Sequence, residues 1–167
     1  EHGGDIMVLD PAAGTTRKID VTIGADIPDS RPVVIGVGDR ITQVDVAVGG
    51  QKALVTARGE VFSVPVTEGR TVNLSRHSGA SDHQAVFSPD GSKVAYLSDR
   101  DGEYGIWLQD AAGHNPAYPL TQHKSGYRHT LRWSPDGTKI AFTDETLRLY
   151  YADARSGAIT EVATADY

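Results

Sequence analysis

A ten-residue pattern occurs twice in this chain, 46 residues apart. Residues 87–96 read FSPDGSKVAY and residues 133–142 read WSPDGTKIAF. A degenerate copy, VAVGGQKALV, occupies residues 46–55, and its Lys52 lies 41 residues before Lys93. Self-similarity at a period of 40 to 50 residues is typical of repeat architectures. The spacing therefore restricts the chain to folds built from one repeated unit.

The repeated unit is made of short β-strands. Pro-Asp-Gly predicts a tight turn, because Pro presets φ, Asp caps the backbone locally and Gly accepts positive φ. Apolar and polar residues alternate on both sides of that turn, which is the period of half-buried strands. Each copy continues with a third alternating run, a turn that ends in glycine and a fourth short run. Four antiparallel strands in this length are typical of one β-propeller blade.

The sequence predicts three whole blades and a part of another. The whole blades are 41–76, 77–123 and 124–167, and residues 1–23 match only the outer two strands of a blade. Residues 24–40, which contain Pro28 and Pro32, are predicted to be a long connection between blades. A propeller closes with four to eight blades. We therefore expect a partial propeller, and the missing initiator Met also favours a truncated sequence.

Composition argues against several classes of partner. Sixteen basic and 22 acidic residues give a formal net charge of −6, with the basic residues scattered, so nucleic acid is not an expected partner. No run of 18 or more apolar residues predicts a membrane span. The chain contains no cysteine, which excludes disulfides and thiolate metal sites but leaves the compartment, cytoplasm or periplasm, undecided.

The sequence predicts no catalytic residue, cofactor or metal site in this chain. Ser88 and Ser134 lie in the Pro-Asp-Gly turns, and no Gly-x-Ser-x-Gly elbow is present. Residues 99–103, DRDGE, lack the twelfth-position glutamate of an EF-hand and are better explained as a turn between strands. The large residues Phe62, Trp107 and Tyr150 recur in the third strand, where packing between sheets is the usual reason for an aromatic.

The candidate site lies on the innermost strands, predicted at 42–48, 84–87 and 130–133. His83 and His129 are 46 residues apart, as are His77 and His123. Two interpretations stay open: pore-face groups that contact peptide or respond to pH, or a repeated structural hydrogen bond between blades, which is the favoured one. The candidate residues facing the channel are His83, Gln84, His129, Thr130 and Arg132.

Three stretches resemble a known family. Residues 87–102, FSPDGSKVAYLSDRDG, look like the propeller repeat of TolB-like proteins and tricorn-type peptidases. Residues 59–65 together with 70–76, and residues 146–153, are similar to blades of the tricorn propeller region. Tricorn-type proteins are large serine peptidases acting on oligopeptides, in which six- and seven-bladed propellers precede a PDZ domain and the catalytic domains.

The resemblance implies about half of a seven-bladed ring that acts as a channel or filter for peptides. The family's catalytic residues lie in domains that have no counterpart here, so none is assigned to this sequence. We expect an oligopeptide substrate as partner, together with the rest of the parent propeller and its peptidase domains. The alternative is a TolB-like module that binds a protein partner, and a third hypothesis is a homo-oligomer of several fragments.

Overall fold

The computed structural model describes residues 6–20, 36–121 and 127–164, and these residues are almost entirely β-strand and turn. The chain divides into two compact units, Glu1–Gly36 and Val37–Tyr167. In the first unit, β1 (Met7–Asp10) and β2 (Thr15–Lys18) form an antiparallel hairpin. Its turn is capped by Asp10, whose carboxylate accepts hydrogen bonds from the backbone N–H groups of Ala12 and Ala13. Residues 21–35, with Pro28 and Pro32, lie outside the described residues.

The second unit contains three antiparallel sheets of four strands each, which confirms the all-β prediction. A 3-10 turn, Gly38–Arg40, precedes them. The strands of the first sheet are β3 (Ile41–Val46), β4 (Lys52–Ala57), β5 (Glu60–Pro65) and β6 (Val72–Asn73). Those of the second are β7 (Asp82–Phe87), β8 (Lys93–Ser98), β9 (Gly105–Asp110) and β10 (Tyr118–Pro119). Those of the third are β11 (Arg128–Trp133), β12 (Lys139–Asp144), β13 (Arg148–Asp153) and β14 (Ile159–Thr164).

Within each sheet the strands follow one another in chain order, joined by hairpins. β3, β7 and β11 therefore lie at one edge of their sheets, and β7 contacts both β3 and β11. We call these three the inner strands. They begin one or two residues earlier than the sequence predicted. The blade boundaries at 76 and 123 stay predictions, since His123 and the residues around it are outside the described part.

The Pro-Asp-Gly turns are held by a Ser–Asp pair in both well-matched repeats. The Ser88 hydroxyl donates to Asp90 Oδ1 at 2.6 Å, and the Ser134 hydroxyl donates to Asp136 Oδ1 at the same distance. These hydrogen bonds stabilise the charged carboxylates and lower the pKa of each aspartate to about 2. The following glycine, Gly91 in the first copy, has a φ of 69°. The tight turn predicted from Pro-Asp-Gly, with aspartate bonding locally and glycine at positive φ, is therefore present in the structure.

The middle sheet is buried on both faces. Along β8, Val94 and Tyr96 belong to a core shared with the first sheet, while Ala95 and Leu97 belong to a core shared with the third. All four side chains are completely buried. Because successive side chains of a strand point to opposite faces, a strand between two sheets must be apolar at every position. This is why residues 94–97 form a continuous apolar run instead of alternating.

Two glycines let the outer hairpin of one sheet approach the preceding sheet. A Cβ on Gly113 would lie 3.0 Å from Leu74 Cδ2, and a Cβ on Gly157 would collide with the carbonyl oxygen of Leu120. Both glycines have positive φ, 70° and 72°. The recurring turn glycine is therefore required both by the backbone conformation and by the close contact between neighbouring sheets.

We expect Gly157→Ala to destabilise the protein more than Gly91→Ala. Both glycines have a left-handed backbone, which costs an L-residue roughly 1–2 kcal/mol, but nothing lies within 4 Å of a Cβ at Gly91. The collision with Leu120 should cost about 1–3 kcal/mol in addition. Urea unfolding of the two variants measures the difference, and equal losses would contradict the contact.

Candidate functional site

The inner strands are joined to each other by side chains that bond to the neighbouring backbone. Gln43 Nε2 donates to the carbonyl oxygen of Ala85 at 3.3 Å. The backbone N–H of Phe87 donates to Asp45 Oδ2 at 2.8 Å. One donor lies on β3 and the other on β7, and both bonds join the first sheet to the second along their inner edges. This seam holds β3 beside β7, the inner strand on which His83 and Gln84 lie.

Each inner strand contains a register shift near its start. The pairing with the second strand shifts between Ile41 and Gln43, between His83 and Val86, and between His129 and Leu131. Within the last two shifts, Gln84 and Thr130 have left-handed φ values of 55° and 45°. A bulge adds an unpaired residue and redirects side chains, and it is often found near functional sites. The backbone cost of a non-glycine residue at positive φ is about 1–3 kcal/mol.

The two predicted histidines meet in an aromatic group that spans the second and third sheets. We call it the His–Tyr cluster: His83, Tyr104, Tyr127 and His129. Tyr127 stacks on His83 with ring centroids 5.6 Å apart, and its hydroxyl lies 3.1 Å from His83 Nε2. The ring centroids of His129 and Tyr127 are 4.8 Å apart. Tyr104 packs edge-on against His83, also with ring centroids 4.8 Å apart.

The His–Tyr cluster changes the acid–base behaviour of His83. His83 is half-buried, and this burial lowers the pKa of its imidazole. The nearby carboxylates of Asp82 and Asp99 act in the opposite direction but do not overcome the burial. A neutral imidazole can exchange a hydrogen bond with the tyrosine hydroxyl, so His83 acts as a neutral partner at the seam between two sheets.

The other candidate residues lie around this cluster. Thr130 and Arg132 are exposed on β11, and Gln84 is half-buried on β7. His83 has a hydrogen bond to the next sheet, whereas His129 is exposed and contacts Tyr127 through its ring. The five candidates thus occupy the entry ends and middles of two adjacent inner strands.

Sequence reasoning missed both tyrosines of the cluster. The residue 46 positions before Tyr127 is Ser81, so repetition does not mark Tyr127. Tyr104 precedes the third strand of its sheet and belongs to no copy of the repeat motif. Packing of the second sheet against the third brings Tyr127 to His83, whereas Tyr104 reaches His83 from the loop before β9 of the same sheet. Of the recurring aromatics, Trp107 lies in the first core and Tyr150 stacks on Phe142 at 5.3 Å.

A buried ion pair next to His83 was also not apparent from the sequence. Asp82 is fully buried and accepts a hydrogen bond from Arg100 Nη2 at 3.2 Å. The same guanidinium donates to Tyr96 Oη and Ser98 Oγ, and it lies 4.4 Å from the centre of the Trp107 ring. Asp99 accepts from the backbone N–H of Ser81. Residues 99–103, in the loop between β8 and β9, therefore supply the arginine of this ion pair.

The third sheet has the opposite charge at the corresponding position. Arg128 stands 46 residues after Asp82 and is 3% exposed. Its guanidinium lies 4.6 Å from the centre of the Phe142 ring, but Nε and Nη1 are buried with no hydrogen-bond partner. Burial lowers the pKa of Arg128 to about 10. One sheet therefore contains a buried aspartate with an arginine partner, although its Oδ2 accepts no hydrogen bond, and the next contains a buried arginine whose Nε and Nη1 donate none.

We expect different responses when Arg100 and Arg128 are each replaced by methionine. Arg100→Met leaves Asp82 buried without its partner and should cost about 3–5 kcal/mol of unfolding free energy. Arg128→Met removes a charge that lacks hydrogen bonds and should change stability by less than about 1 kcal/mol, or increase it. Chemical denaturation tests both, and a large loss for Arg128→Met would show that Asp144 and Glu145 compensate its charge.

Protonation of His83 should destabilise the fold. Its pKa is lower in the folded state than the ordinary value of 6.5, so the unfolded chain binds more protons as pH falls below that value. Unfolding free energy should therefore rise with pH between the folded and unfolded pKa values. An NMR titration of the imidazole should give a pKa below 6.5, moving upward in Tyr127→Ala, which uncovers the ring. A wild-type value at or above 6.5 would contradict the burial argument.

No three histidine or acidic side chains among the described residues come close enough together to share a metal ion. The described part of the chain contains no helix that could cross a lipid bilayer.

Four-stranded antiparallel sheets packed face to face, with their first strands adjacent, are the blades of a β-propeller. No protein-family model matches the chain. The tricorn protease homologue of Saccharolobus solfataricus is 25% identical over 101 residues, which are 60% of this chain and 9% of that protein.

Solved structures agree with this class. TolB from Acinetobacter baumannii matches 98% of this chain with a TM-score of 0.60 and 21% identity, over 38% of its own chain. Tricorn protease matches 98% of this chain with a TM-score of 0.67 and 15% identity, over 15% of its own chain. The chain thus spans well under two thirds of each relative. The β-propeller fold and the predicted resemblance to TolB-like and tricorn-type propellers are confirmed.

Proposed function

We propose that this chain is a non-catalytic propeller segment of a tricorn-like peptidase and that its inner strands contact peptide in a channel. The proposal is supported by the similarity to a tricorn protease homologue and by the geometry of the inner strands. In this proposal the catalytic residues belong to other domains of the parent protein. The seven-bladed ring and the blade boundaries predicted from the sequence are part of the same proposal.

The observation that carries the proposal is the repeated bulge on neighbouring inner strands. Each sheet ends at its inner strand, and the edge of a sheet presents backbone N–H and C=O groups that an extended peptide can pair with. The bulges at Gln84 and Thr130 interrupt this edge and place two polar residues in a left-handed conformation. Arg132 and His129 add exposed polar side chains on the same strand. Such a surface suits sequence-tolerant contacts with a passing peptide.

Binding of a fluorescein-labelled, uncharged, extended octapeptide tests this function. Arg132→Gln and Thr130→Ala should each weaken binding several-fold in fluorescence anisotropy, because each removes a polar contact from the inner strands. Arg155→Gln, an exposed arginine in the β13–β14 turn, is the matched control and should leave binding unchanged. Equal affinities for all variants would contradict a peptide-contacting inner face. The chain alone should not cleave the peptide, and measurable turnover would overturn the non-catalytic assignment.

A TolB-like module that binds a folded protein is the second candidate function. It is supported by the match of nearly the whole chain to TolB at a TM-score of 0.60. The two functions differ in the ligand: a module for a folded partner should show no affinity for the octapeptide. A discrete oligomer in light scattering would favour the third hypothesis, in which several copies form a ring.

A further inference from the structure

A polar cavity lies between the first and second sheets, at their outer strands. It has a volume of about 370 Å³ and is lined by the segment after β6 and by the β9–β10 loop. We call it the outer groove, and its polar lining includes Arg76, His77, Arg100, Gln109 and His114. It shares no residue with the inner-strand candidates.

The outer groove is basic although the chain is acidic. Its described lining contains two arginines and two histidines and no aspartate or glutamate, in a chain with a net charge of −6. Arg100 is already paired with Asp82, and His114 Nδ1 lies 3.9 Å from the Asp110 carboxylate. Arg76 forms no ion pair with a described residue and also lines a neighbouring cavity of about 350 Å³ together with Arg70. Arg76 is therefore the cation available to a ligand.

Arg76 is held in place before any ligand arrives. Its φ is 46°, a left-handed conformation that is uncommon for arginine. The backbone N–H of Arg76 donates to Asn73 Oδ1 at 3.0 Å, and its side-chain Nε donates to the Asn73 carbonyl oxygen at 2.9 Å. The first bond holds the backbone and the second holds the side chain, and both terminal nitrogens are left for a ligand. Two parallel N–H groups suit the two oxygens of a carboxylate.

The floor of the groove contains an acceptor that lacks a donor. Gln109 is 4% exposed, and its Nε2 donates to the carbonyl oxygen of Asn115 at 3.1 Å. Its Oε1 is buried with no hydrogen-bond partner. Buried polar atoms without a partner are uncommon in native proteins, and each calls for an explanation. A ligand that brings an N–H donor next to its carboxylate would satisfy this oxygen.

We propose that the outer groove binds a peptide carboxylate, with the Arg76 guanidinium pairing the carboxylate and Gln109 Oε1 accepting an adjacent peptide N–H. The carboxylate belongs either to a peptide C-terminus or to an acidic side chain. This site goes beyond the proposed channel function and does not depend on it, because it uses different strands. The outer groove would hold an acidic side chain or a C-terminus of a peptide at the outer strands of the sheets.

Calorimetric titration of the chain with four probes tests the site. The probes are acetyl-Gly-Ala-Ala with a free C-terminus, its C-terminal amide, acetyl-Gly-Glu-Ala amide, and inorganic phosphate. We expect binding of one or both carboxylate peptides and none of the neutral amide. The two carboxylate peptides distinguish a terminal group from a side chain. Phosphate binding as tight as that of the peptides, or no peptide binding at all, would overturn the proposal.

Variants locate the binding. Arg76→Gln should weaken the carboxylate peptides about tenfold, as expected for loss of one charged hydrogen-bonded pair. Arg58→Gln is the matched control, since Arg58 is an exposed arginine of the same sheet with a φ of 56° that lines neither cavity. Gln109→Met should also weaken binding of the carboxylate peptides, and thermal melting checks that this variant is folded. Equal affinity in Arg76→Gln and wild type would overturn the assignment.

NMR distinguishes peptide binding in the outer groove from peptide binding in the proposed channel. Carboxylate peptides should shift the amide resonances of Gly113 and Asn115, whereas a peptide in the channel should shift those of Gln84 and Thr130. Arg132→Gln should leave the outer groove unaffected. Shifts confined to the inner strands would overturn the groove while leaving the channel proposal intact.

Discussion

Packing of the middle sheet between two others is the interaction on which the rest of the structure depends. Along β8, alternate side chains enter two different cores, and both cores are formed by residues from neighbouring sheets. Neither core exists within one sheet, because a single sheet has no partner for its apolar face. The sheets at the two ends show the converse: Val44, Val46 and Val48 on the first, and Leu149 and Val162 on the third, remain substantially exposed.

The seam between sheets is fastened at both its inner and outer margins. At the inner margin, Gln43 and Asp45 bond directly to the backbone of β7. At the outer margin, Gly113 and Gly157 let the hairpin turns contact the preceding sheet. These contacts fix the distance between neighbouring inner strands and the width of the outer groove. Both proposed ligand sites are therefore consequences of how sheets meet and not of any one sheet.

Differences between repeats carry the local chemistry. The Ser–Asp turns are nearly identical in the second and third sheets, down to the hydrogen-bond lengths. At the positions before His83 and His129, by contrast, one repeat has a buried aspartate with an arginine partner and the other has a buried arginine without hydrogen bonds. The Ser–Asp turn, which each hairpin needs, is therefore the same in both repeats. The buried charge before each histidine differs between them.

The sequence alone determined the repeat, the strands and the turns. Pro-Asp-Gly turns and short apolar runs act over a few residues, so residues 87–97 and 133–142 were predictable as strand and turn without knowledge of their neighbours. It also placed His83 and His129 at equivalent positions. Only the tertiary structure decided that Tyr104 and Tyr127 join them, that Arg100 neutralises Asp82, and that Gln109 and Arg76 line one cavity. Arg100 and Tyr104 make their contacts from the loop between β8 and β9, whose conformation no repeat motif encodes. The contacts of Tyr127 and the meeting of Arg76 with Gln109 join different sheets, so their distances depend on the angle and spacing of packed sheets.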